Sequence, residues 1–149
     1  MIRKATVDDV KQIQKLVNYY AKREKMLARS LNEIYENIRD FFVYVEGKNI
    51  YGCCALHVDW EDLAEIKSLA VAKSRTGRGI GSKLLEHCLK DAKALKLKKI
   101  FALTYIQEFF RGFGFQVINK NTLPHKIWSE CIKCAYFPNC KEIAMMREI

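Results

Sequence analysis

The segment Leu69–Leu85, LAVAKSRTGRGIGSKLL, places three alternating glycines, Gly77, Gly79 and Gly81, between an apolar run and an amphipathic stretch. Apolar residues at helical spacing follow and predict a helix from Gly79 to Leu95. Glycine lets backbone N–H groups approach an anion closely, and a helix N-terminus adds a positive dipole. The segment therefore predicts a strand, an anion-binding loop and a helix. A plain strand-to-helix turn remains the alternative.

Charged residues surround the predicted loop, and we expect Arg75, Arg78 and Lys83 to add positive charge around a bound anion. Two common phosphate-binding motifs do not fit. The Gly-Lys-Ser/Thr of a P-loop is absent at the required spacing. A dinucleotide fingerprint lacks its acidic residue about 20 positions later, and the strand before the loop follows two hairpin strands.

Elsewhere the hydrophobic pattern predicts strands and helices in mixed order. Asp8 or Asp9 is expected to cap the first helix, and Ser30 with Glu33 forms a capping-box pattern for the second. The remaining predicted elements are strand Ile2–Val7, a helix through Val10–Tyr20, helix Leu31–Ile38, strands Phe41–Val45, Ile50–Val58, Ala64–Val71 and Lys99–Thr104, a short helix Gln107–Arg111, and closing strands Gly114–Ile118 and Ile143–Ile149. This order predicts an α/β (α+β) protein with a mixed, mostly antiparallel twisted sheet and helices on both faces.

Composition limits the class of protein. The 149 residues are 50% hydrophobic and include 7 Gly and 2 Pro, which favours one packed domain over residues 1–149. No window approaches about 20 uninterrupted apolar residues, so we expect no membrane contact and a cytoplasmic location. The formal charge of +9 is dispersed among acidic residues, which indicates a solvated surface or an anionic partner rather than a nucleic-acid stripe.

The chain resembles the GNAT superfamily of acetyl-CoA-dependent N-acetyltransferases. Gly79 and Gly81 match the two small positions of its pyrophosphate motif, although Thr76 stands where Gln or Arg is usual. Phe109–Phe115 matches its aromatic-aromatic-x-x-x-Gly-Phe element, with Phe110 at the position of a frequent catalytic Tyr. The resemblance implies the GNAT fold and acetyl-CoA as cofactor. It implies that these residues bind the pantetheine arm and the pyrophosphate: Leu69, Ala70, Val71, Thr76, Gly77, Arg78, Gly79, Ile80, Gly81 and Ser82.

Within that superfamily, the chain is similar to the short, single-domain form of bacterial N-acetylglutamate synthase. The local matches are Ala64–Val71 (AEIKSLAV), Leu27–Ser30 (LARS), Phe101–Thr104 (FALT) and the dipeptide Leu123-Pro124. The resemblance implies acetylation of the α-amino group of a small-molecule amino acid, with L-glutamate as acceptor, in the first step of arginine biosynthesis.

The same resemblance implies roles for individual residues. Arg29 matches a carboxylate-binding arginine, whose planar fork suits bidentate capture. Lys67, on the strand face of Glu65, and Lys126, after Leu123-Pro124, are expected to complete a cationic acceptor site. Each of the three also fits an ordinary surface cation.

Proton transfer is assigned in the same way. Glu65 matches the proposed general base that deprotonates the amine, with a solvent-facing strand end or a pair with Lys67 as the alternative. Thr104 matches a hydroxyl that protonates or solvates the leaving thiolate. Tyr105 is adjacent and has the lower intrinsic pKa, so both are carried as candidates.

The cysteines form two groups. Cys53, Cys54 and Cys88 lie in apolar runs and indicate small buried hydrophobes. The spacing His125-x5-Cys131-x2-Cys134-x5-Cys140 could complete a tetrahedral structural zinc site, or these residues could pack with the neighbouring aromatics.

Two other functions stay open. A GNAT enzyme could acetylate a polyamine, antibiotic or protein amine, for which an acidic pocket is expected. A small basic zinc-containing nucleic-acid module would need a basic stripe with exposed aromatics, which the dispersed cations do not favour. A homodimer is compatible with an acetyltransferase of amino acids and with one of other amines.

Overall fold

The computed structural model describes residues 1–23, 28–123 and 142–149. Within them, seven strands form one sheet in the order β1-β2-β3-β4-β5-β7-β6. The strands are β1 Ile2–Lys4, β2 Phe41–Glu46, β3 Asn49–Trp60, β4 Leu63–Val71, β5 Lys99–Thr104, β6 Gln116–Val117 and β7 Ile143–Glu148. The helices are α1 Val10–Ala21, α2 Leu31–Glu36, α3 Ile80–Ala94 and α4 Gln107–Arg111. The predicted mixed sheet is confirmed, because β4 and β5 pair in parallel and the other neighbours pair antiparallel.

The start of α1 differs from the sequence prediction. The first strand ends at Lys4, and a 3-10 turn over Val7–Asp9 leads into α1. Asp9 is the N-cap residue of α1, as predicted, but its carboxylate makes no cap bond to α1 and instead accepts the N–H of Thr6, which begins the turn, at 2.8 Å. Arg3 binds the same carboxylate at 2.7 and 3.0 Å and holds the pKa of Asp9 below its usual value. The Ser30 prediction is confirmed, because its Oγ accepts the Glu33 N–H at 3.1 Å.

Helices cover both faces of the sheet. One face packs against α3, through Leu84, Leu85 and Cys88 on the helix and Cys54, Leu56, Ala64 and Ile66 on the strands. The other packs against α1 and α2, through Val10, Ile13, Val17 and Ile34 on the helices and Val43, Cys53, Ala55 and Ala70 on the strands. We call these the α3 face and the α1–α2 face. No helix in the described ranges has the length and hydropathy needed to cross a membrane.

A bulge in β4 separates it from β5. Cys53 is opposite Ala70 and Ala55 is opposite Lys67, so β4 carries one residue more than β3 over this stretch. Ser68 lies in the extra segment with φ +55°, in the left-handed region, and its carbonyl accepts the Cys53 thiol at 3.3 Å. A bulge bends its strand. The parallel pairing of β4 with β5 covers Leu63–Ile66, and beyond it the two strands diverge.

A close approach sets the position of α3. A Cβ on Gly52 of β3 would lie 3.0 Å from Leu84 Cδ1 and 3.1 Å from Ile80 Cγ2. Both contacts are tighter than ordinary van der Waals separation, so glycine at this position lets the first two turns of α3 settle on the sheet. The helix N-terminus is thereby fixed beside the end of β4.

Candidate active site

A cavity of about 430 Å³ occupies the opening between β4 and β5. It passes between the two faces of the sheet, because Tyr20 of α1 lines it on one side and Gly81, Phe109 and Phe110 of α3 and α4 line it on the other. The remaining described lining comes from Ile66, Lys67, Ser68, Leu69, Ala70, Val71, Thr76, Leu103, Thr104, Tyr105 and Ile106. The strand divergence thus creates a site that two reactants can enter from opposite faces.

The predicted anion-binding loop lies at one end of this cavity. Gly77 and Gly79 have φ +78° and +77°, the left-handed region that side chains rarely adopt, and space beyond both α-carbons is open. Gly79 is the N-cap residue of α3 and has no side chain to cap the helix amides, while its carbonyl accepts the Lys83 N–H at 3.1 Å. In this first turn, the amides of Ile80, Gly81 and Ser82 have no acceptor within the helix. Such amides, with the helix dipole, suit a pyrophosphate.

The side chains near the loop differ in what they can contribute. Arg78 is exposed, and Thr76 lines the cavity while its hydroxyl donates to the Lys73 carbonyl at 3.0 Å. Arg75 was expected to add charge at the anion. Instead, its guanidinium donates to both oxygens of Glu46 at 3.1 and 3.2 Å and stacks on the Tyr51 ring, 4.1 Å from the centroid. Its charge is therefore largely neutralised, and it ties the loop to the β2–β3 hairpin.

The end of β4 presents backbone groups to the cavity. The Ala72 N–H donates to the Tyr51 carbonyl of β3 at 2.7 Å, so strand alternation turns the Val71 N–H and carbonyl away from β3 and toward the opening. Leu69 and Ala70 also line the cavity. These groups fit the predicted strand-like pairing with a pantetheine arm.

Tyr20, at the end of the helix predicted through Val10–Tyr20, also lines the cavity, a role that the sequence pattern did not predict. Its hydroxyl donates to the Val71 carbonyl, and burial raises the pKa of this phenol. The available signal was a hydroxyl at the end of an apolar helical stripe, because a buried Tyr usually finds a polar partner.

Glu65 and Lys67 lie on the α1–α2 face. Lys67 is opposite Ala55, which packs under α1, and Glu65 is two residues earlier on the same strand. Glu65 is only 6% exposed, and Lys67 lines the cavity. Among the described residues, the β4 lining begins at Ile66, so Glu65 lies one residue from it.

Arg29 lies on this same side, in the connection between α1 and α2. Its backbone N–H donates to Asn18 Oδ1 and its carbonyl accepts from Gln14 Nε2, both at 3.3 Å, which fixes the residue against α1. Its side chain is 10% exposed and pairs with Glu33 at 3.3 Å. The structure therefore keeps a largely buried guanidinium on the face that carries Glu65 and Lys67.

Two candidate proton donors lie at the end of β5. Thr104 is 6% exposed and its Oγ1 accepts the Ile106 N–H at 2.9 Å, so its own proton remains available for donation into the cavity. Tyr105 also lines the cavity. Phe110 is buried and makes edge contacts with Phe109 and Phe115. It brings no hydroxyl to the place where many GNAT enzymes have one.

The remaining candidates fall into two groups. Lys126, His125, Cys131, Cys134 and Cys140 lie outside the described residues. Cys53, Cys54 and Cys88 are fully buried, as expected, and burial raises the pKa of Cys53 to about 12. All three side chains pack among apolar residues, and the Cys53 thiol stays protonated.

Comparisons with known proteins agree with this geometry. Residues 7–115 match the Acetyltransferase (GNAT) family. The chain is 36% identical over 148 residues to an uncharacterized N-acetyltransferase of Chlorobaculum tepidum, covering 99% of this chain and 96% of the relative. It is 37% identical over 134 residues to an amino-acid acetyltransferase of Mycobacterium tuberculosis, covering 87% of this chain and 76% of that protein.

Solved structures show the same fold with the coenzyme bound. The Rv2747 protein of Mycobacterium tuberculosis, in complex with CoA, superposes with a TM-score of 0.86 at 30% identity and covers 100% of this chain and 99% of that one. N-acetylglutamate synthase of Neisseria gonorrhoeae, complexed with coenzyme A and N-acetyl-glutamate, gives 0.90 at 27% identity, with 99% of this chain matching 34% of that one. The chain therefore spans about a third of the Neisseria protein. On these grounds this chain belongs to the GNAT family and is an acetyl-CoA-dependent N-acetyltransferase.

Proposed function

We propose that the enzyme transfers the acetyl group of acetyl-CoA to the α-amino group of L-glutamate, the first step of arginine biosynthesis. The observation that carries this proposal is the largely buried Arg29 guanidinium on the sheet face of Glu65 and Lys67. Homologues named amino-acid acetyltransferase and a CoA- and N-acetyl-glutamate-bound structural neighbour support it.

The acceptor pocket is argued from charge. L-glutamate carries two carboxylates, so its pocket needs cations that are held in place. Arg29 is fixed through its backbone to α1, and its guanidinium is a planar fork of five N–H donors, one nitrogen of which pairs with Glu33. Lys67 contributes a second cation at the cavity wall. Lys126 is our candidate for a third, beyond the described residues.

The cofactor site is argued from the backbone. The residues present fit acetyl-CoA, because two left-handed glycines and the first turn of α3 offer amides to the pyrophosphate. Val71 offers the pantetheine arm its N–H and the second lone pair of a carbonyl that the Tyr20 hydroxyl already binds. Bound there, acetyl-CoA supplies an activated thioester. Its approach from the α3 face leaves the α1–α2 face to the amino acid.

The chain then acts by positioning two reactants and moving two protons. Glu65 accepts a proton from the substrate ammonium, which frees the nitrogen lone pair for attack on the thioester carbon. The new C–N bond forms and the C–S bond breaks. The proton that attack leaves on the nitrogen ends on the departing sulfur, by way of the Thr104 hydroxyl, which is oriented by its bond to Ile106, gives its own proton to sulfur and takes the one from nitrogen. Tyr105 is the second candidate donor at the same end of β5. Phe110 cannot serve, since it carries no ionisable group.

Other expectations remain predictions. They are a cytoplasmic location, a single domain over residues 1–149, a possible homodimer, and a structural zinc held by His125, Cys131, Cys134 and Cys140. Zinc content measured on protein purified without chelator tests the metal directly.

The acceptor assignment is tested by measuring free thiol release from acetyl-CoA with a panel of amines. L-glutamate should give the highest kcat/KM, above L-glutamine, which lacks the second carboxylate, and above L-aspartate, whose side chain is one methylene shorter. Spermidine, an aminoglycoside and a peptide amine should give little release. A basic acceptor that exceeded glutamate would overturn the acceptor assignment and leave the family membership intact.

A further inference from the structure

A histidine–carboxylate pair lies beside the proposed base on the α1–α2 face. His57 of β3 contacts Asp40, at the end of the 3-10 turn Ile38–Asp40, with 2.7 Å between Nδ1 and Oδ2. An ionised carboxylate only accepts hydrogen bonds, so His57 carries its proton on Nδ1. This contact fixes the ring orientation and leaves Nε2 as the second proton site.

The register of the sheet places this histidine next to Glu65. His57 and Glu65 are direct partners in the antiparallel β3–β4 pair. Directly opposite side chains share a face, and their Cβ atoms lie about 4.5–5.5 Å apart. The two residues therefore adjoin each other without any adjustment of the backbone.

Exposure differs sharply between the two partners. Glu65 is 6% exposed, whereas the side chains of His57 and Asp40 are each 24% exposed. A base that takes a proton from the amine in every turnover must release it before the next one. His57, the direct cross-strand neighbour of Glu65, is the more exposed of the two.

We propose that His57, oriented by Asp40, is a positioning residue that relays the proton from Glu65 to solvent. The substrate ammonium gives its proton to the Glu65 carboxylate. That proton then passes to His57 Nε2, forming an imidazolium whose Nδ1–H stays on Asp40, and water removes the Nε2 proton. The proposal rests on the role of Glu65 in the proposed function.

Charged groups adjoin His57 on this face of the sheet. Asp40 contacts its Nδ1 from the 3-10 turn, Glu65 lies directly opposite it on β4, and Lys67 lies two residues further along β4.

The test compares His57→Ala with His87→Ala, each by steady-state, multiple-turnover acetyl transfer to glutamate across a range of pH, with and without free imidazole. His87 on α3 is the matched control, because its Nδ1 bonds the Lys83 carbonyl on the opposite face of the sheet. His57→Ala should slow transfer about ten-fold, an order of magnitude less than the smallest loss expected on removing a general base itself. The KM for acetyl-CoA should stay unchanged, and imidazole should restore most of the rate.

A fold defect would behave differently, since imidazole does not refill a lost structural contact and the thermal unfolding midpoint would fall with the rate. Asp40→Asn provides a second variant, which keeps a hydrogen bond to the ring but removes the charge, and it should change the pH profile more than the rate. His57→Ala added to Glu65→Gln should cause no further loss, because both act on one proton.

The outcomes separate the two proposals. If Glu65→Gln slows transfer while His57→Ala retains the wild-type rate and pH profile, or is not restored by imidazole, the relay is overturned and the base stands. If Glu65→Gln itself retains the wild-type rate, the base and the relay fall together.

Discussion

The α3 side of the sheet and the α1–α2 side form their halves of the site from different chemical groups. On the α3 side, the groups proposed to bind the coenzyme are backbone amides exposed by Gly77, Gly79 and the first turn of α3. On the α1–α2 side, the groups proposed to act on the acceptor are the side chains of Arg29 and Glu65, from segments far apart in the chain.

This difference determines which substitutions each half of the site can tolerate. A backbone cradle depends on φ angles and accepts nearly any side chain that leaves those angles intact, so it can be shared among enzymes with one cofactor. A side-chain pocket can be altered by single substitutions without disturbing the sheet. Cofactor binding and acceptor choice should therefore respond to separate mutations.

The largest effect should come from Gly79→Glu. A side chain at φ +77° costs about 1–2 kcal/mol, and a carboxylate would occupy the open space where the pyrophosphate approaches. Calorimetry should detect no binding of CoA. Gly47→Glu is the matched control, because Gly47 has φ +62° with equally open space but lies in the β2–β3 turn. If Gly79→Glu still binds CoA as the control does, the backbone cradle is refuted.

Glu65→Gln should have the next largest effect. The amide keeps the shape but cannot take a proton, so kcat should fall by about 10²–10⁴ while the affinity for acetyl-CoA stays the same. Glu61→Gln, at an exposed turn position, should behave like the wild type in the same rate assay. An unchanged rate across pH in Glu65→Gln would remove Glu65 as the base.

Arg29→Met should affect acceptor binding specifically. Hydrogen bonds to charged groups contribute about 1.5–3 kcal/mol, which corresponds to a rise of roughly 10- to 100-fold in the KM for glutamate. The KM for acetyl-CoA should not move, and Arg39→Met, at an exposed position beyond α2, should change neither. A rise in both constants would contradict the division of the site between the two faces.

Tyr20→Phe should give the smallest effect, at the boundary between the halves. It removes only the hydroxyl that donates to the Val71 carbonyl. A hydrogen bond contributes a net value of about 0.5–1.5 kcal/mol, so the KM for acetyl-CoA should rise by roughly 2- to 12-fold with little change in kcat. Tyr19→Phe, whose ring contacts Arg23 and Tyr20, is the control. Equal constants in both variants would assign Tyr20 to packing alone.

The sequence predicted the strand, the glycine loop and the helix of the α3 side because their determinants are local. The glycine positions, the helix and the strand before it all lie within Leu69–Leu85, so spacing alone predicts their geometry. The mixed sheet followed from the hairpins that precede one strong crossover helix. In both cases the sequence pattern and the structural feature that it predicts lie within a short stretch of the chain.

The acceptor half was harder to predict from the sequence because it depends on the register between β3 and β4. The opposition of His57 and Glu65 is fixed by how β3 and β4 pair around the bulge at Ser68, and a shift of one residue would turn the side chains to other faces. The partner of Arg75 and the bonds at the start of α1 were also not predictable from local spacing. Glu46 lies 29 positions before Arg75, and the reach of Asp9 back to Thr6 depends on the turn that precedes α1.

The extra residue at Ser68 has a consequence for how such an enzyme could arise. Deleting that one position would give β3 and β4 equal numbers of residues over this stretch. Without the bulge, β4 could be straight enough to pair with β5 along its whole length. A continuously paired sheet of this kind would have no cavity between β4 and β5 for a thioester. The position of the opening thus coincides with one extra residue in β4 rather than with a separate structural element.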